Sequence, residues 1–218
     1  MSRKQPEGFL AAPRTAKGRG VIVLHPWWGL NDTTKSTCTR LAEEGFAAFA
    51  PDLYHGRLAT TIAQAETLSS QLDPARAKDD VADAVGFLSE QFGSGHGLTV
   101  IGFSLGAYYA LQASISEADH VGLVAVFYGT GPGDYARSKA AYLGHFAEVD
   151  EYEPPSEVDA LESSLRIAGR PVQFHRYPGT GHWFFEPDRE QAYNASAATL
   201  AWERTLAFLK EPVAGKVG

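Results

Sequence analysis

Short apolar segments alternate with longer helical segments along almost the whole chain, and this alternation limits the folds that the chain can adopt. The apolar runs lack the strict in–out pattern of a half-exposed strand, which indicates strands buried on both faces. Buried strands separated by helices form a parallel sheet through right-handed crossovers, so we predict an α/β protein. The predicted strands are residues 21–24, 46–50, 98–101, 121–127, 141–146 and 172–177, and the predicted helices are residues 34–44, 61–72, 76–92, 105–115, 156–167 and 190–209.

Length and composition fit one globular domain. The chain has 218 residues, of which 44% are hydrophobic and 21% charged, and a chain of this size buries a substantial core. No repeat or linker interrupts it, so we predict a single domain over residues 1–218. Cys38 is the only cysteine, which excludes a disulfide within the chain.

Charge and hydropathy exclude several kinds of partner. The net charge is −7 and the basic residues are scattered, which argues against binding to nucleic acid or to an anionic membrane surface. No stretch approaches the roughly 20 apolar residues of a membrane span. We expect a cytoplasmic protein that acts on a small molecule as a monomer or homodimer.

A G-x-S-x-G motif lies at residues 102–106, after one predicted strand and at the start of the next predicted helix. This is the setting of a nucleophile elbow, in which the serine sits on a sharp, strained turn and glycines let strand and helix approach. The turn would put the Ser104 hydroxyl at a helix N-terminus, where the free amide of Leu105 can donate to an oxyanion. We interpret Ser104 as a nucleophile; the alternative is an ordinary glycine-rich turn.

His182 and Asp150 are predicted to reach the same edge of the sheet as Ser104. Each follows a predicted strand, and in an open α/β sheet such loops lie at the carboxyl ends of the strands. The chain order serine, aspartate, histidine is that of α/β-hydrolases. We therefore predict Ser104 as nucleophile, His182 as base and Asp150 as the acid that orients the base. The competing acids are Glu148, Glu151 and Glu153.

Other kinds of site are poorly supported. The sequence has no histidine pair at ligand spacing, no H-E-x-x-H motif and no cysteine cluster, so we predict no metal and no other cofactor. Residues 129–133 resemble a phosphate loop but lack the following lysine, and a plain turn is the better interpretation. Two alternatives stay open: acyl transfer to an alcohol or peroxide, and a non-catalytic ligand-binding module on a hydrolase fold.

The chain resembles the dienelactone hydrolase family from residue 21 onward. The resemblance implies the α/β-hydrolase fold, with a mostly parallel sheet between helices, and a carboxymethylenebutenolidase-type enzyme that cleaves carboxylic esters or lactones. It also implies Asp150 as acid, His182 as base and an oxyanion hole formed by the amides of Trp27 and Leu105; Pro26 has no N–H to offer. The matching segments are residues 24–31, 51–54, 102–106, 146–154, 179–184, 195–198 and 203–205.

The chain also departs from the family. The best-known members use a cysteine where this chain has Ser104, and a glutamate where it has Pro26. That glutamate is implicated in controlling the thiol, so the two departures fit together, because a serine needs only a base such as His182. An early strand of the family is also expected to be missing at the N-terminus.

A further departure concerns the substrate. Members that bind the dienelactone carboxylate use arginines, one of them in the segment after the histidine, where this chain has Glu186. We predict a mouth lined by aromatic side chains, in which Glu186 repels an anionic substrate. Neutral esters or lactones of modest size are therefore the expected substrates. The predicted substrate-binding residues are Trp28, Trp183, Phe184 and Glu186.

Overall fold

The computed structural model describes residues 3–13, 19–92 and 97–210. These residues contain seven strands and six α-helices. A short 3₁₀ helix, Tyr135–Arg137, precedes the sixth strand. The strands are β1 (Gly8–Ala11), β2 (Gly20–Leu24), β3 (Ala47–Pro51), β4 (Leu98–Phe103), β5 (Val121–Phe127), β6 (Ala141–Ala147) and β7 (Val172–Tyr177). The helices are α1 (Asp32–Glu43), α2 (Ile62–Ser70), α3 (Pro74–Phe92), α4 (Leu105–Ser116), α5 (Pro155–Ile167) and α6 (Ala195–Lys210).

The strands form one sheet in the order β1-β3-β2-β4-β5-β6-β7. Strands β2 to β7 are mutually parallel, which confirms the six predicted strands, and β1 pairs antiparallel with β3. The sequence analysis missed β1, because its four residues are all half-buried and give no periodic signal. The parallel arrangement brings the loops after β4, β5, β6 and β7 to one edge of the sheet.

Helices cover both faces of the sheet and create two apolar cores. Helices α1 and α6 pack on one face, against side chains such as Val23, Ile101 and Leu143. Helices α3, α4 and α5 pack on the other face, against side chains such as Val100 and Val124. Because helices bury both faces of the sheet, the strand sequences are continuous apolar runs.

Five of the six helices begin one to five residues away from the predicted first residue, and two of these starts have a clear local cause. Helix α5 begins at Pro155 with Pro154 as its cap, and Pro155 occupies the first turn, where its missing N–H costs nothing. Helix α6 begins at Ala195 and not at residue 190, because the Asn194 side chain accepts a hydrogen bond from the Ala197 amide (3.0 Å). Residues 187–194 are consequently turns that connect β7 to α6.

The start of α4 lies directly against the end of β2. A Cβ atom at Gly106 would overlap the carbonyl oxygens of Leu24 and His25, and one at Gly102 would overlap the backbone of Gly106. Since the obstructing atoms are backbone atoms, they cannot move aside as a side chain could. These two glycines therefore let strand and helix meet at the elbow, as the motif predicts.

We expect Gly106→Ala to destabilise the fold by about 2–3 kcal/mol because the added methyl group overpacks against backbone. Gly45→Ala is the matched control. Gly45 has open space around it, and only its φ of 93° disfavours a side chain, so this change should cost only about 1 kcal/mol. Thermal unfolding followed by circular dichroism measures both. Equal losses in the two variants would contradict the close contact at Gly106.

Candidate active site

Ser104 sits on a strained turn between β4 and α4. Its backbone has φ 49° and ψ −114°, a conformation that residues with a side chain rarely adopt. The Ser104 amide donates to the Phe127 carbonyl oxygen at the end of β5 (2.9 Å), which ties the turn to the neighbouring strand. The strained serine is half-buried, so its hydroxyl remains reachable at the carboxyl edge of the sheet.

The structure brings the three predicted catalytic side chains together. His182 Nε2 lies 3.0 Å from Ser104 Oγ, and His182 Nδ1 lies 2.9 and 2.8 Å from the two oxygens of Asp150. A carboxylate beside Nδ1 keeps the imidazole proton on that nitrogen, so Nε2 can accept the serine proton. The side chains of His182 and Asp150 are only 4% and 3% exposed, and this exclusion of water strengthens their interaction.

Two of the three competing glutamates, Glu148 and Glu153, have other partners. Glu148 accepts a hydrogen bond from the Gly179 amide (2.8 Å), and Glu153 accepts one from the Thr130 hydroxyl (2.7 Å). Asp150 also accepts from the amides of Tyr152 and Glu153, at 2.9 and 3.0 Å, which hold the carboxylate in a fixed orientation. Among the described residues, Asp150 alone has a carboxylate hydrogen-bonded to His182.

Two backbone amides are available beside the serine. Within the described residues, neither the Trp27 nor the Leu105 amide donates a backbone hydrogen bond. The Pro26 carbonyl oxygen is occupied, since it accepts from the Gly29 amide (3.1 Å) and lies 2.7 Å from His25 Nδ1. These bonds fix the turn after β2 while leaving the Trp27 amide unpaired, as an oxyanion hole requires.

An aromatic cluster surrounds the histidine. The ring of Trp27 stacks on that of Trp183 (6.0 Å between centroids), and Tyr152 contacts Trp27, Trp183 and His182 at 4.9 to 5.5 Å. Tyr152 is 39% exposed and the two tryptophans are half-buried. The aromatic mouth predicted from the sequence is present, with Trp183 in it as predicted and with Tyr152 as a member that was not predicted.

Three of the predicted substrate-binding residues do not line the mouth. Trp28, Phe184 and Glu186 are 1%, 0% and 2% exposed, and Phe184 packs between Tyr128 and Tyr177. The reason is local: the backbone of Trp183 adopts a left-handed φ of 66°, and the residues that follow enter the core. The prediction that Glu186 repels an anionic substrate is therefore wrong, because this side chain is buried and does not line the mouth.

Glu186 is an acid whose side chain is almost completely buried. Burial raises the pKa of its carboxyl to about 8, against the opposing effect of a hydrogen bond from the Tyr128 hydroxyl (2.8 Å). Its second oxygen, Oε2, makes no hydrogen bond of normal geometry within the described residues. An acid with such a pKa is mostly protonated at neutral pH, and it carries little charge there.

Tyr128 is a neighbour of His182 that the sequence analysis did not identify. It follows β5 with a φ of 36°, and its ring lies 4.9 Å from that of His182. The criterion that selected Ser104, Asp150 and His182, a polar residue in the loop that follows a predicted buried strand, also applies to Tyr128. Aromatic residues at strand ends usually belong to the apolar core, so the sequence provided only a weak indication that Tyr128 lies at the site.

A mostly parallel sheet with helices on both faces and a strained serine at its carboxyl edge defines an α/β-hydrolase. The profile of the dienelactone hydrolase family matches residues 7–213, and the chain belongs to that family, which makes it a hydrolase. In the described residues no helix has the length and apolar composition to span a bilayer. No group of three or more His, Cys, Asp or Glu side chains in those residues could hold a metal ion.

Relatives and solved structures agree with this assignment. The protein called usf from Aquifex pyrophilus is 33% identical over 94% of this chain and 92% of its own length. A protein from Aquifex aeolicus, provisionally named a carboxymethylenebutenolidase, is 30% identical over 93% of this chain and 92% of its own. A structure from Klebsiella pneumoniae, provisionally named a dienelactone hydrolase, shares the fold: the TM-score is 0.83 at 24% identity, with 94% of this chain and 92% of that chain covered.

Proposed function

We propose that this chain hydrolyses carboxylic esters or lactones through an acyl-enzyme formed on Ser104. The observation that carries the proposal is the continuous hydrogen-bonded series from Ser104 through His182 to Asp150. A serine is a weak nucleophile unless a base removes its proton, and an oriented histidine is the usual base. Family membership supports hydrolysis as the reaction class.

In the first half of the reaction, Ser104 Oγ attacks the carbonyl carbon and its proton moves to His182 Nε2. Negative charge develops on the carbonyl oxygen, where the amides of Trp27 and Leu105 would stabilise it. The intermediate collapses when the alkoxide leaves and takes the proton from His182. For a lactone the alkoxide stays attached to the acyl group, so the acyl-enzyme carries its own leaving group.

In the second half, water replaces the alcohol. His182 takes a proton from water, the hydroxide attacks the acyl carbon, and the same two amides stabilise the second tetrahedral intermediate. Return of the proton to Ser104 releases the acid. Asp150 stays ionised throughout and stabilises the imidazolium that forms twice in each cycle.

Replacement of the nucleophile tests the proposal directly. We expect Ser104→Ala to lower kcat for p-nitrophenyl acetate by a factor on the order of 10⁶ and to abolish covalent labelling by a fluorophosphonate probe. Ser116→Ala, at the exposed end of α4, should label like wild type. Full activity in the Ser104 variant, or labelling at another serine, would refute the assignment.

The orienting acid is tested by a pair of isosteric variants. Asp150→Asn should lower kcat by about 10⁴, because an amide at this position favours the wrong tautomer of His182. Glu148→Gln keeps an acceptor for the Gly179 amide, so kcat should stay within about tenfold of wild type. A large loss in the Glu148 variant beside normal turnover in the Asp150 variant would move the acid to Glu148.

Substrate charge is the third test. Arg57, which could have supplied a carboxylate clamp, donates instead to the Tyr54 carbonyl oxygen and to Gln71, whereas Glu153 lies beside Asp150. We therefore expect kcat/KM for the methyl ester of a dienelactone to exceed that for its free acid by at least about tenfold, equivalent to about 1.4 kcal/mol. Faster turnover of the free acid would show that the site contains a cationic clamp.

A further inference from the structure

A pair of buried polar side chains, Tyr128 and Glu186, lies behind the proposed base. The Tyr128 hydroxyl donates to Glu186 Oε1 at 2.8 Å, and both residues are at most 2% exposed. The other oxygen of the carboxyl has no hydrogen-bond partner of normal geometry among the described residues. A carboxylate that is shielded from solvent and held by one hydrogen bond is unfavourable, and such a group is stabilised as the neutral acid.

Tyr128 connects this acid to the imidazole. Its backbone is fixed, because its amide donates to the His145 carbonyl oxygen (2.8 Å) on the adjacent strand. Its ring lies 4.9 Å from that of His182, tilted by 59°. A change in the Tyr128–Glu186 hydrogen bond therefore reaches the His182 ring through the Tyr128 side chain.

We propose that Glu186 is a positioning residue for His182: as a neutral acid it holds Tyr128 against the imidazole, and on ionisation it adds a second negative charge behind the base. The inference rests on the proposed function, since it gives His182 the role of base. It goes beyond that function because it assigns a role to Glu186, which lies outside the hydrogen-bonded series from Ser104 to Asp150.

The charged groups around Glu186 define what its ionisation does. Asp188 and Arg189, on its own loop, pair with each other (2.9 Å), and the Arg189 guanidinium lies 4.0 Å from the Trp28 ring. From the end of β5, Tyr128 faces Glu186, and Asp150 and Asp188 interact in turn with Tyr128. Because Arg189 already has a carboxylate partner, a charge on Glu186 would be only partly neutralised and would favour the imidazolium that forms in the transition state.

The first experiment measures the charge of Glu186 without reference to activity. A carboxyl whose pKa is raised in the fold stabilises the protein below the ordinary pKa and loses that contribution as pH rises towards about 8. An amide does not titrate. The difference in Tm between Glu186→Gln and wild type should therefore grow in favour of the variant from pH 5 to pH 8 and stay level above it. A constant difference across this range would overturn the proposal.

The second experiment measures the coupling to His182. For a neutral ester, kcat/KM of wild type should rise with pH in two steps, the second by about three- to tenfold above pH 8. Glu186→Gln should lose the second rise and keep the first. Glu190→Gln, an exposed glutamate four residues further on, should keep both. A second rise that persists in the Glu186 variant would contradict the coupling.

Tyr128→Phe separates positioning from stability. Removal of the hydroxyl leaves the carboxyl without its donor, so the second rise should move to higher pH, while kcat falls about tenfold with KM unchanged. A purely structural role would lower the yield of folded enzyme without moving a pH midpoint. Failure of these tests leaves the Ser104 mechanism standing, whereas activity in Ser104→Ala would remove the mechanism whatever the Glu186 variants show.

Discussion

The contact between the start of α4 and the end of β2 determines the geometry of the candidate site. Backbone meets backbone at Gly106, with no side chain between the helix and the carbonyl oxygens of Leu24 and His25. This approach forces Ser104 into a conformation with φ 49°. It also brings the turn that carries Trp27 beside the first amide of α4, so one packing contact accounts for both the exposed serine and the two unpaired donors.

The other functional side chains depend on the sheet, since they come from loops that follow different parallel strands. Asp150 follows β6 and His182 follows β7, and the two loops are joined by a bond from the Val149 amide to the Thr180 carbonyl oxygen (3.2 Å). Glu148 adds a second link through the Gly179 amide. A histidine and a carboxylate on mobile loops would spend much of their time apart, and these links limit that freedom.

The sequence was sufficient to predict where functional residues lie along the strands but not where their side chains point. Ser104, Asp150 and His182 follow strands that apolar patterning identifies, so their common edge could be predicted. Glu186 could not be placed, because one left-handed residue, Trp183, redirects the chain into the core. Strand β1 was not predicted for a related reason. Its four half-buried residues show no hydrophobic periodicity, and only their pairing with β3 defines them as a strand.

The departures from the best-known family members, Ser104 and Pro26, also have a common physical basis. A thiol ionises near neutral pH and benefits from a neighbouring acid, whereas a serine hydroxyl keeps its proton until the base removes it. The turn after β2 is accordingly held by uncharged groups. Burial lowers the pKa of His25, which keeps it neutral, so that Nδ1 donates to the Pro26 carbonyl oxygen and Nε2 accepts from the Leu53 amide (3.1 Å). In the proposed mechanism, control of the serine therefore falls to His182 and Asp150, and burial raises the pKa of the neighbouring Glu186 to about 8, so that acid is mostly neutral near pH 7.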